Sequence, residues 1–200
     1  MAIGYFYFKD WNNFKQKTIQ DYDKAIKRHP HRAENYFFRG ELYEKLGQYA
    51  EAIDDYTKAL ELDPSTDWAW EQRGDSQRKL ERYAEAIDDY TKALELEPSN
   101  AWVWRHRGLA YLELGQYAEA IEDFTQAITL ISTMLDSYVD SFLSSDDSFL
   151  NPEFAESYHD RGLAYLALGH TEAATADFQR TLELDPTHEK AQAQLKKLTP

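Results

Sequence analysis

The sequence predicts an all-α solenoid of antiparallel helix pairs in 34-residue repeats, and three observations carry that expectation. The fourteen residues YAEAIDDYTKALEL stand word for word at Tyr49 to Leu62 and again at Tyr83 to Leu96, with a looser copy, YAEAIEDFTQAI, from Tyr117 to Ile128. Arg-Gly pairs at Arg39-Gly40, Arg73-Gly74 and Arg107-Gly108 recur every 34 residues, and the next, Arg161-Gly162, lies 54 further on, which is 34 plus 20. Within the copies apolar residues return every three or four positions, the period of a helix face rather than of a strand. A fixed period of this size marks stacked supersecondary units that touch only their neighbours, so the 200 residues read as one elongated domain with a 20-residue interruption.

Residues 1–32 read as a degenerate half repeat that caps the array. Phe14 to Pro30 aligns without gaps onto Gln48 to Pro64, so the second half of a unit is present, while Met1 to Asn13 matches nothing and is rich in aromatic residues. Residues 33–66, 67–100 and 101–134 are then full repeats, each a helix, a tight turn and a second helix. In the first, Tyr36, Gly40 and Tyr43 share one face and Gly47 breaks the helix. The second helix carries Tyr49, Ala52, Ile53, Tyr56, Ala59 and Leu60, and Asp63-Pro64 ends it, because proline cannot continue a helix and restricts the residue before it. Small residues at Gly40 and Ala52 let two helix backbones approach closely.

The third repeat lacks its closing proline. Ile128, Ile131, Met134, Leu135, Tyr138, Val139, Phe142 and Leu143 continue the helical spacing, so residues 131–154 read as an insert: a helix running to about Leu143, then a polar return from Ser144 to Asn151. An extension of about a dozen residues projects ~18 Å at 1.5 Å per residue. The stack resumes over residues 155–188, and residues 187–200 form a capping helix with a polar outer face at Glu189, Lys190, Lys196 and Lys197.

These units resemble the tetratricopeptide repeat family. Its pattern of an aromatic, then Gly, Tyr, Ala, an aromatic, Ala and Pro is matched by Trp70, Gly74, Ala86, Tyr90, Ala93 and Pro98, with Gln77 in place of the usual tyrosine. Trp104, Gly108, Tyr111, Ala120, Phe124 and Ala127 match it in the next unit, and Tyr158, Gly162, Tyr165, Ala174, Phe178 and Pro186 in the last. The leucine usual before the glycine is replaced by Arg39, Arg73, Arg107 and Arg161; with Asp54-Asp55, Asp88-Asp89 and Glu122-Asp123 on the second helices, these are expected to form a ladder of ion pairs between neighbouring units, the alternative being a ligand-binding role. The resemblance implies a right-handed superhelix whose first helices line a concave groove.

Composition narrows the function. With no cysteine there is no disulfide framework, thiolate catalysis or cysteine-held metal. The net charge is −14: residues 1–32 carry seven Lys/Arg against three Asp/Glu, which leaves residues 33–200 with 15 against 33. Nucleic-acid affinity comes largely from Lys and Arg, so an acidic body makes nucleic acid an unexpected partner. No apolar run reaches the ~18 residues of a membrane span, and the start does not read as a secretory signal; a cytoplasmic protein is expected. No nucleophile elbow, phosphate loop, dinucleotide fingerprint or HExxH is present, and neither enzymatic activity nor a cofactor is expected. The histidines show no ligand spacing, although His106 and His159 would approach each other if the stack closes past the insert, and Asp136, Asp140, Asp146 and Asp147 lack the glycine and terminal glutamate of a calcium loop. No metal is expected.

A protein partner is the remaining expectation, as a peptide or helix in the groove. The candidate groove residues are Phe37, Phe38, Trp68, Gln72, Trp102, Arg105, His106, Leu109, His159 and Leu163, on the stripe that also carries Glu34, Glu41, Glu71, Asp75, Glu156 and Asp160. Trp68 and Trp102 either face solvent as binding anchors or pack on the neighbouring repeat. One use of the family, clamping the terminal carboxylates of chaperone tails, needs Lys and Asn at groove positions that here hold Phe37, Glu41, Gln72, Trp102 and His106. That clamp is absent, and a more apolar or mildly basic ligand is expected. The alternative is self-assembly into a homo-oligomer through Met134, Leu135, Tyr138, Val139 and Phe142 on the insert helix.

Overall fold

The computed structural model describes residues 18–141 and 151–198, with side chains up to Leu135 and again from Glu153. The expected aromatic cap at Met1 to Asn13, the start of the half repeat at Phe14, and Phe142, Leu143 and the return loop lie outside the described residues. Ten helices occur among the described residues, with no strand: α1 Ile19–Arg28, α2 Ala33–Lys45, α3 Tyr49–Leu62, α4 Asp67–Lys79, α5 Tyr83–Leu96, α6 Ala101–Glu113, α7 Tyr117–Ser141, α8 Asn151–Ala167, α9 Thr171–Leu184 and α10 Glu189–Leu198. The chain divides into two compact units, Met1–Glu81 and Arg82–Pro200. Within each, helices that follow one another in sequence pack against one another.

The turn inside a helix pair is set by a residue with positive φ. Gly47, Gly115 and Gly169 take φ of 73°, 73° and 78°, and the next amide reaches back across the turn, from Gln48 N–H to Tyr43 O, Gln116 N–H to Tyr111 O and His170 N–H to Tyr165 O, each at 2.9 Å. This 6→1 closure satisfies a carbonyl that the ended helix leaves without a partner. In the 67–100 repeat the position is Glu81, which adopts φ 60° without being glycine. A left-handed conformation costs a side-chain-bearing residue about 1–2 kcal/mol, so that turn holds strain that the others lack.

Between the helices of a pair, an aromatic ring lies against a glycine. Tyr56, Phe124 and Phe178 are fully buried, and a Cβ placed on Gly40, Gly108 or Gly162 would come within 2.8 Å of the Cε1 of Tyr56, Phe124 or Phe178 respectively. The ring occupies the space that a side chain on the first helix would take. Ala52, Ala120 and Ala174, also fully buried, leave room on the second helix. At the far end of each unit a side chain closes the proline turn: Tyr36 donates to the Pro30 carbonyl, and Trp70 and Trp104 donate through Nε1 to those of Pro64 and Pro98.

The arginines that replace leucine are explained by the same layer. Arg107 donates through Nε and Nη2 to the two oxygens of Asp123, both at 2.8 Å, and Arg161 makes the same pair of bonds to Asp177. Arg39 does so with Asp55 at 2.7 and 2.6 Å. Aromatic rings flank the guanidinium: Trp104 at 4.8 Å and Tyr111 at 5.9 Å for Arg107, Tyr158 and Tyr165 for Arg161. The planar, bidentate, stacked geometry is one that lysine could not supply. The ladder differs from the expected one in a specific way. The ion pair lies within a repeat, and it is mostly a hydroxyl that links one repeat to the one before it, Thr57 for Arg73, Thr91 for Arg107 and Thr125 for Arg161. Arg39 instead reaches a carboxylate there, Asp23 on α1.

Both irregular ends have local causes. Helix α1 starts at Ile19 because Thr18 and Asp21 form a reciprocal capping box, Thr18 Oγ1 accepting from the Asp21 amide and Asp21 accepting from the Thr18 amide. Helix α7 does run past its repeat, for 25 residues to Ser141. Helix α8 begins at Asn151, four residues before the expected restart at Ala155; Pro152 is tolerated there because the first helical turn has no hydrogen bond for its missing amide hydrogen to make.

Candidate functional site

The candidate groove residues of the first unit lie on α2 and α4. Phe37 is buried, so it is core and offers no surface to a ligand: its ring meets Trp68 edge-on at 3.8 Å between centroids, Phe38 at 5.5 Å and Tyr56 at 5.4 Å. An aromatic at that position fills the space between α2, α3 and α4. Trp68 is half-buried on Phe37, and Phe38 is half-buried and reaches Tyr22 of α1. The apolar stripe is therefore an aromatic stack that exposes its edges, and neither reading of Trp68 holds alone. Gln72 is half-buried on α4.

Beside this stack lies an acidic group. Tyr56 donates to Glu44 Oε2 at 2.9 Å, and burial, with the charges of Glu44, Glu41 and Asp75, holds the Tyr56 hydroxyl protonated far above its ordinary range. Glu44 is itself raised, first by burial. Glu41 goes further: its Oε2 is buried without a hydrogen-bond partner, and burial pushes its carboxyl up to about 7, with Lys45 drawing it down and Glu44 adding to the rise. A desolvated carboxyl with no donor is a group whose charged form a cation would stabilise.

In the second unit the candidates lie on α6 and α8. Trp102 is half-buried against the cluster of Ala101, Ile128, Ile131 and Phe154. This cluster joins α6, α7 and α8, so it is what seats the chain again after the insert. Leu135 packs on it as well, which removes that residue from the expected free stripe; Met134 is half-buried. Tyr138 and Val139 lie on α7 beyond the described side chains. Arg105 spans the same junction, with Nη2 2.7 Å from Asp160 and 3.5 Å from Glu156 and Nη1 3.4 Å from Glu153. An arginine held by three carboxylates is a structural tie rather than a free hot spot. His106 is half-buried with its ring 6.0 Å from that of Tyr90; Leu109 and Leu163 are half-buried and pack on the cores of their own pairs.

His159 is buried. Its ring neighbours are Phe178 at 5.8 Å and His188 at 4.8 Å, so the histidine it approaches comes from the loop before α10. Nothing in the repeat period signals this contact, because His188 lies at the end of the last repeat and meets His159 only when the final turn folds back.

Models of the tetratricopeptide repeat match residues 33–66 and 101–133 and, in a second form, residues 155–188, and a TPR repeat model matches residues 74–115. The chain belongs to the tetratricopeptide repeat family. Among solved structures, a crystal structure of MamA is similar over 86% of this chain and 89% of its own, at 25% identity and a TM-score of 0.71. The first TPR of Spaghetti (RPAP3), bound to the HSP90 peptide SRMEEVD, is 29% identical and covers 68% of this chain and 93% of its own, at a TM-score of 0.55. The TPR domain of Arabidopsis OM64 is 26% identical, covering 66% of this chain and 93% of its own at a TM-score of 0.54. No curated protein matches the sequence. The all-α solenoid class read from the 34-residue period is the class these tetratricopeptide repeat structures share. No helix among the described residues is long and apolar enough to cross a membrane.

Proposed function

We propose that this tetratricopeptide repeat protein is a non-catalytic interaction scaffold that holds a peptide or helical segment of a partner protein, bearing Lys or Arg, against the first helices of its repeats. One observation carries the choice of a basic ligand: the Glu41 carboxyl has a buried, unpartnered oxygen beside Glu44. The RPAP3 repeat has been solved with SRMEEVD, a peptide with more acidic than basic residues; with Glu41 at a position where a carboxylate clamp needs a cation, this chain favours the opposite sign. The edges of Trp68 and Phe38 supply the apolar part of the contact, as aromatic anchors do in binding hot spots. A random-peptide display screen tests the reading. Peptides enriched in Lys or Arg whose binding falls in Glu41→Gln and in Trp68→Ala support it; enrichment of acidic peptides, or no enrichment, overturns it. Such a role fits the cytoplasmic location expected from the sequence.

The length of α7 favours a second reading, self-assembly through the segment beyond residue 131. Light scattering on a variant lacking residues 136–150 tests it, and an unchanged mass removes it.

A further inference from the structure

Three side chains near the end of the chain converge in a way that neither the repeat nor the proposed groove requires. Glu156 and His159 stand at i and i+3 on α8 and so share a face, and His188 comes from the loop that precedes α10. The potential ligand atoms of the three lie within 4.8 Å of one another, with His188 Nε2 3.3 Å from Glu156 Oε1. Both imidazoles are buried, at 4% and 8% exposure, and His159 Nε2 has no hydrogen-bond partner. The opposite nitrogen of that ring, Nδ1, lies 3.1 Å from Asp160 Oδ1. A carboxylate there holds the hydrogen on Nδ1 and leaves the Nε2 lone pair bare, which is how an outer carboxylate orients a metal-binding histidine.

Charge and access agree. Glu153, Glu156 and Asp160 gather around the single guanidinium of Arg105, a surplus of two negative charges that a divalent cation would balance. Glu156 is 40% exposed and gives solvent a way in. We propose that Glu156, His159 and His188 form a binding site for a zinc-type divalent transition-metal ion that ties the loop before α10 to α8. Two imidazoles and one carboxylate are a borderline donor set of that kind, with a fourth position left to water, whereas calcium and magnesium prefer oxygen ligands.

One feature of His188 makes the site distinctive. Its Nδ1 accepts a hydrogen bond from the Ala191 amide at 3.1 Å, which caps α10 and places the ring hydrogen on Nε2 when the metal is absent. Coordination through Nε2 moves that hydrogen to Nδ1 and gives up this cap, a weaker bond than metal to nitrogen. Metal binding is therefore coupled to the first turn of α10, and the Ala191 amide reports it.

The test uses the full chain, stripped with EDTA and titrated with zinc chloride by calorimetry and with cobalt(II) by visible absorption. The proposal expects one ion per chain, a Tm that rises with zinc, a shifted Ala191 amide resonance, and affinity lowered at least about tenfold in His159→Gln and in Glu156→Gln. Circular dichroism reports whether each variant folds; should His159→Gln unfold, the half-exposed Glu156→Gln carries the comparison. No saturable binding, or binding unchanged in a folded Glu156→Gln with the Ala191 amide unmoved, overturns the site.

Discussion

Replacing Gly108 by alanine sets two effects of opposite sign against each other, and the packing between α6 and α7 decides which wins. In a helix interior alanine is favoured over glycine by about 1 kcal/mol, so an open helical site would gain. Here the new Cβ would lie 2.8 Å from Cε1 and 2.9 Å from Cδ1 of Phe124 and 3.2 Å from Cβ of Asp123. The phenyl ring is fully buried with Ala120 and Ala164 around it, so it cannot swing aside, and overpacking of this kind costs about 1–3 kcal/mol. The expected net effect is a destabilisation of up to about 2 kcal/mol once the propensity gain is subtracted. Urea denaturation measures it, and a second background sharpens it: in Phe124→Leu the ring is gone, so the same Gly108→Ala change should become neutral or stabilising. Equal effects in the two backgrounds would show that the ring-on-glycine contact does not set the helix spacing.

Four further outcomes follow from the structure. Arg107→Leu, which restores the residue usual in the family, should destabilise by about 3–5 kcal/mol because it leaves Asp123 buried and unpaired; Arg107→Leu with Asp123→Ala should recover much of that in urea denaturation. Glu81→Gly should stabilise by about 1 kcal/mol, since glycine adopts φ 60° without strain, and a lowered urea midpoint would contradict this. For Glu41 the folded carboxyl sits near 7, above its unfolded value; the folded state binds the proton more tightly, so stability falls as pH rises from about 4.5 to 7 and the penalty persists above it. Glu41→Gln should therefore gain roughly 1–3 kcal/mol on wild type at pH 8 and little at pH 4, a difference that thermal melts at the two pH values would reveal. Binding of a Lys- or Arg-bearing peptide should weaken as pH falls below 7, when that carboxyl takes up its proton.

The faces that carry the candidate residues were legible, and what was not legible shares a cause. Helical spacing places Trp68 and Gln72 on one face of α4 and, separately, Trp102 and Leu109 on one face of α6, and all four are half-buried. The same spacing cannot separate Phe37 from Phe38, adjacent aromatics of which one is buried and the other half-exposed, because the angle at which α3 and α4 close on α2 decides it. Arg105 reads as a free cation in sequence because its partners lie 48 to 55 residues away, across the insert. Two further features are written locally in the sequence: Thr18 with Asp21 has the spacing of a capping box, and Glu81 stands where the other repeats have glycine.

What the sequence determined by itself is local and repeated. Hydrophobic period, turn residues and a 34-residue self-similarity specify helix, turn and helix again and again, because each unit meets only its neighbours and each neighbour is nearly a copy. Tertiary structure alone decided what depends on the depth and angle of packing. It buried Phe37 and His159, left the Glu41 oxygen without a partner, turned the arginines inward onto Asp55, Asp123 and Asp177, and carried His188 back to Glu156. Desolvation and long-range charge pairing arise from distances that no period encodes, and they act where the copies differ.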